Sequence, residues 1–148
     1  MAFTAKVKGT KVTVALGDGA TPTEVFTVLC GMSEKGLTRT KQINETTDWD
    51  CADANALPIT VKDVQSTSWS ISLSGLFHAS QRATLDTFFG LTDSRNVRFV
   101  FDDGANIDGY YMGKAHITSL EIGATNGQYG TAAITIEGDG PLTWTATP

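Results

Sequence analysis

Cysteine is nearly absent from these 148 residues, which hold only Cys30 and Cys51. Two cysteines are too few for a disulfide framework, and a separation of 21 positions (51 − 30) fits neither a zinc pattern nor a redox pair. Reduced thiols and a single bridge are both compatible with that spacing. Histidine is as scarce: neither His78 nor His116 has a second ligand at helical spacing, so surface or helix-edge roles are expected rather than metal or general-base ones. No window reaches the ~18 consecutive apolar residues of a membrane span. The start, MAFTAKVKGTKV, carries no apolar run of signal-peptide length, and a cytosolic product without a membrane role is expected. Charge is thin as well, 18% against the usual quarter or so. Sixteen acidic and eleven basic residues give −5, with no Lys/Arg block, which excludes the electrostatic footprint of a nucleic-acid binder.

The motifs of catalysis are missing too. There is no Gly-x-Ser-x-Gly elbow, phosphate loop or His-Glu-x-x-His. The run Asp102 to Gly109 superficially resembles a calcium loop, but aligning Asp108-Gly109 with positions five and six puts Gly104 first and Ala115 twelfth, without the carboxylates those places require. A polar hairpin is the expectation. No catalytic residue, metal site or cofactor is therefore assigned, and the chain is read as a non-enzyme.

What is present is period-two patterning. From Ser66 to Leu76 the residues Thr67, Trp69, Ile71, Leu73 and Gly75 alternate with Ser66, Ser68, Ser70, Ser72 and Ser74, which predicts a strand with one apolar face and one row of uncharged hydroxyls. Strand serines without an adjacent base are inert, so the row is no nucleophile array. Strands are predicted over Lys11–Leu16, Arg95–Phe101, Tyr110–Ile122, Tyr129–Glu137 and Leu142–Ala146. The apolar phase of Tyr110–Ile122 switches between Ile117 and Leu120, predicting a bulge near Thr118 and Ser119. Gly17-Asp18-Gly19, Asp102-Asp103-Gly104, Asn106-Ile107-Asp108-Gly109, Asn126-Gly127 and Gly138-Asp139-Gly140 supply turns. Strands at this spacing indicate a sandwich or barrel.

One stretch, about 80–89, reads as a helix, with Ser80 as N-cap, Leu85, Phe88 and Phe89 on one face, and Gly90 past its end. Leu37–Ile43 is compatible with a strand. Asn44–Ala56 is polar, with Glu45, Thr47, Asp48, Asp50 and Asp53 around Trp49, and a long loop over about 41–58 is predicted. Loops of that length in compact domains are usually functional, and Trp49 is a candidate anchor for a partner. A single mainly β domain over 1–148, with one flanking helix and one long loop, is the expected architecture.

Several stretches resemble the major tail tube proteins of long-tailed bacteriophages and gene transfer agents: WSISLSGLF leading into ASQRATLDTFFG, then GKAHITSLEI, then NGQYGTAAITIEGDGPLTWTA with its Gly-x-Leu-Thr. GLTRTKQINETTDWDCAD is similar to the strand and threonine-rich loop that precede the family's core strand. The resemblance covers about half of the chain at the quality of the first stretches. It implies a tail-tube-type β-sandwich or barrel, hexameric rings whose inner strands join into one barrel, and stacking of the rings into a conduit for the genome. Its implied partners are further copies of the chain, a tape-measure protein, and tail terminator and distal tail proteins, in a virion tail assembled in the host cytoplasm. DNA passes through without specific binding, as the acidic balance allows. The needle tube of contractile secretion systems shares the fold.

Two expectations follow. Ser66, Ser68, Ser70, Ser72 and Ser74 face the lumen, the alternative being a neighbouring subunit or solvent. The 41–58 segment, with Glu45, Thr47, Asp48, Trp49, Asp50 and Asp53, bridges rings or subunits. The rival class is a carbohydrate-binding or adhesin-type sandwich, in which Trp49, Tyr110, Tyr111 and Tyr129 would line one face.

Overall fold

The computed structural model describes residues 5–20, 23–104 and 107–147, so Ala105 and Asn106 of the calcium-like run, the second also of a predicted turn, lie outside the described residues. Eight strands pair antiparallel in one continuous sheet: β1 (Val12–Gly17), β2 (Phe26–Val28), β3 (Met32–Asp48), β4 (Ile59–Leu76), β5 (Arg95–Asp103), β6 (Ile107–Gly123), β7 (Thr131–Gly138) and β8 (Thr143–Ala146). Their order is β2-β1-β5-β6-β7-β4-β3, with β8 on β6.

β6 turns this sheet into a sandwich. Its first half, Ile107–Ala115, pairs with β5, and its second half, Ala115–Gly123, pairs with β7. One core accordingly unites Val14 and Leu16 of β1 and Val97 and Phe99 of β5 with Ile71 and Leu73 of β4 and Ile134 and Ile136 of β7, strands far apart in sheet order. The register of β6 shifts between Ile117 and Ser119, as the phase switch predicts, so that Ile117 and then Leu120 both reach the core side.

Trp69 closes the core at 5% exposure, its Nε1 donating to the Gly140 carbonyl at 3.1 Å. The ring lies flat against Gly113 and Gly138, where a Cβ would collide with it. Gly127 and Gly140 carry the positive φ their turns need.

The helix α1 spans Arg82–Phe89 and buries Leu85 and Phe88. The sequence expectation differs from it at two places. Ser80 lies within a 3-10 turn, Ala79–Gln81, and caps nothing; Gln81 occupies the N-cap position, is buried, and donates to the Val28 carbonyl. Phe89 is half exposed, because the helix ends there and Gly90 closes it through its N–H to the Asp86 carbonyl.

A larger difference concerns the predicted loop over 41–58. β3 and β4 remain paired to Asp48–Ile59, so only residues 49–58 form a loop at the end of a long hairpin. The sequence conceals these strands because every residue from Thr38 to Asp48 and from Ile59 to Ser68 is exposed. With no face buried, the period-two apolar signal shrinks to the short alternation Ile59-Thr60-Val61-Lys62, which the bulge at Gln65 then breaks.

Candidate assembly surfaces

β7 stops covering β4 at the pair Ser70–Glu137. Beyond it, β3 and β4 run on as a two-stranded ribbon for roughly 30 Å at ~3.3 Å per residue. This arm carries a bulge where Gln42–Ser66 gives way to Ile43–Val64. The extra residue, Gln65, flips the phase of β4 and puts Val64 on the face of Ile43. Glu45 and Lys62 then pair at 3.4 Å, and Thr47 lies opposite Thr60. At the tip, Asp50 accepts from the Ala52 N–H and Asp53 from the Asn55 N–H, which sets the loop's turns. Trp49 is 65% and Leu57 89% exposed there, beside Asp48. Isolated two-stranded ribbons are marginal in water. The arm exposes Ile43, Trp49, Leu57, Ile59, Val61 and Val64, an apolar surface of the kind that marks interaction sites.

The second surface is the half-sheet β3-β4-β7-β6. On its outward face Ser66, Ser68, Ser70, Ser72 and Ser74 stand in a row, opposite Gln42, Thr40, Thr38, Gly36 and Glu34 of β3. Across β4, Ser70, Ser72 and Ser74 meet Glu137, Thr135 and Ala133, which in turn meet His116, Ser119 and Glu121 of β6. The face holds three carboxylates and no Lys or Arg among these paired positions. Glu34 accepts from the Ser74 hydroxyl at 3.1 Å, and His116 lies 3.8 Å from Asp139.

Both edges of this half-sheet are open. Among the described residues β3 pairs only with β4, and the stretch of β6 past Ala115 pairs only with β7, since β5 has already ended its ladder.

A family model described as phage tail tube protein matches residues 6–144. The chain belongs to the phage tail tube protein family. Its role is therefore structural. No curated protein matches it in sequence. Among solved structures, a chain of the native gene transfer agent virion superposes with a TM-score of 0.73 at 15% identity, covering 95% of this chain and 100% of that one. A chain of the tail of the empty gene transfer agent particle, refined with C6 symmetry, gives 0.73 at 17% identity over 95% and 100%. The SPP1 tail tube gives 0.61 at 16% over 96% of this tail tube chain and 80% of its own.

This tail tube protein does not gather the residues that a sugar-binding face would need. Tyr110 stacks on Arg98, Tyr111 packs on Trp144 within the aromatic cluster, Trp49 sits on the arm, and Tyr129 stands exposed just before β7. The cysteines are free and exposed, at opposite ends of β3. About 50 Å separates the ends of a strand running from residue 32 to 48, so one copy cannot bridge Cys30 to Cys51. Arg98 is a functional candidate that the sequence hides: only the fold brings Phe26 and Tyr110 to either side of it.

Proposed function

We propose that six copies close into a ring by pairing the β3 edge of one copy with the free half of β6 in the next, and that rings stack into a tube that serves as a conduit for the genome. The observation carrying this reading is the half-sheet with two edges unpaired among the described residues and no Lys or Arg at the positions paired across its serine row. A long open edge is an aggregation hazard in a monomer and is removed when a ring closes. The C6 symmetry of the gene transfer agent tail, whose chain shares the fold, supports sixfold closure.

In this ring the Ser66–Ser74 row faces the lumen. Hydroxyls and carboxylates there give DNA no cation to bind, whereas each Lys or Arg would retain it by releasing counterions. The arm, with Glu45, Thr47, Asp48, Trp49, Asp50 and Asp53, bridges neighbouring copies. The chain acts without catalysis and meets a tape-measure protein, a terminator and distal tail proteins. It assembles in the host cytoplasm before joining the virion tail.

Likeness to a chain of the sheath-tube complex of an extracellular contractile injection system, TM-score 0.61 at 14% identity, supports a second reading as a contractile-system tube ring. Cryo-electron microscopy of the purified protein across a concentration series tests the proposal. Hollow tubes of uniform width with the serines on the inner wall are expected; monomers at every concentration, or serines on the outer wall, would defeat it.

A further inference from the structure

Arg98 occupies the middle of β5 between Val97 and Phe99, which are both buried, so its side chain leaves the opposite face of the sheet. There its guanidinium carbon lies 3.6 Å from the Phe26 ring centre and 4.3 Å from that of Tyr110. The cation is clamped between two rings. Its Nε is buried without a hydrogen-bond partner, and among the described residues no carboxylate pairs with it. Stacking compensates part of the desolvation but leaves the buried Nε–H without an acceptor. Val28, 45% exposed, and half-buried Met112 flank the clamp on the same face.

The arm tip has the opposite character. Asp48, Asp50 and Asp53 have no basic partner among the described residues, and exposed Trp49 and Leu57 stand beside them. One surface is apolar with an unmatched, immobilised cation; the other is apolar with unmatched anions. We propose that Arg98, held between Phe26 and Tyr110, receives the arm-tip carboxylates of a second copy, with Trp49 and Leu57 packing on the apolar flank. This assignment rests on the reading that the arm bridges copies and names the surface it reaches. The two rings have already fixed the guanidinium, so a fork-like contact with a carboxylate loses little further side-chain freedom. Charge pairs partly withdrawn from water are the ones that contribute most to association.

Charge exchange tests it, read as the concentration at which tubes first sediment. Arg98→Glu, and separately the combination Asp48→Lys, Asp50→Lys and Asp53→Lys, should each raise that concentration about tenfold or more, the equivalent of ~1.4 kcal/mol. Joining both sets in one chain should recover most of the loss. Thermal melting establishes that each variant folds; Arg98→Gln replaces Arg98→Glu if the latter does not, and should weaken the salt dependence of assembly. Wild-type assembly by the Arg98 variants, or no recovery on exchange, would overturn the assignment while leaving the arm's bridging role intact. Normal tubes from a chain without the arm would remove both. Normal tubes from Arg98→Glu with lost retention of labelled duplex DNA would make the clamp a phosphate site and also overturn the proposal.

Discussion

Gly138 and Trp69 are an example of a residue-scale fit with a measurable consequence. A Cβ at position 138 would meet Cε2, Nε1 and Cδ2 of the Trp69 indole, a two-ring system that the smaller phenylalanine ring does not fill. Gly138→Ala should therefore destabilise by about 1–3 kcal/mol through overpacking. In a Trp69→Phe background the same change should cost much less, because the two sites share one contact. Urea unfolding of the cycle measures this, and strict additivity would contradict it. Asp18 provides a pH-dependent case: hydrogen bonds from the Ala20 and Val25 N–H groups hold its carboxyl below its ordinary value of 3.8. A depressed pKa stabilises the fold fully above the ordinary value, and the contribution disappears as pH falls through the folded one. Wild type should exceed Asp18→Asn in stability at pH 7, and the gap should close in acid below pH 3.8. An unchanged gap there would place the effect elsewhere.

At the scale of elements, the arm and α1 should separate stability from assembly. Leu85 is buried on α1 against the core, and Leu85→Ala should cost about 2–5 kcal/mol. The arm buries nothing in its own chain from Thr38 to Asp48. Excising 44–63 and joining Ile43 to Val64 through Asn-Gly, which supports a tight hairpin, should leave the melting temperature within a few degrees and abolish elongation. Calorimetry and sedimentation report the two effects independently. This element was the least legible in the sequence, because strand recognition depends on a buried face and the arm has none until a partner covers it. β4 from Trp69 and β6 were legible down to the bulge at Thr118, since the core imposed its period on them. The helix was legible in place but not in its cap, where a 3-10 turn and Gln81 took the role expected of Ser80.

For the whole molecule, the decisive property is a half-sheet open on both sides among the described residues, with no Lys or Arg paired across its serine row. If that face lines a lumen, Ser70→Arg together with Ser72→Arg should leave folding and tube formation intact while retaining DNA within the tube. The retention should weaken steeply with added salt, as counterion release requires. Labelled duplex DNA passed over purified tubes at two ionic strengths gives the measurement, and indifference to the two arginines would argue against a lumenal face. The acidic balance of −5 would act in the same direction on such a surface, since a net negative charge disfavours phosphate adhesion.

The sequence by itself determined the β class, most strand positions, the row of serines and the absence of catalytic motifs, because local periodicity and turn chemistry are written residue by residue. Its resemblance to tail tube proteins pointed to the family before any coordinate did. Only the tertiary structure decided that the polar stretch around Trp49 is a paired ribbon, that Cys30 and Cys51 lie too far apart to bridge, and that Arg98 sits between two rings. Each of these depends on register between strands distant in the chain, a relation that no local pattern records.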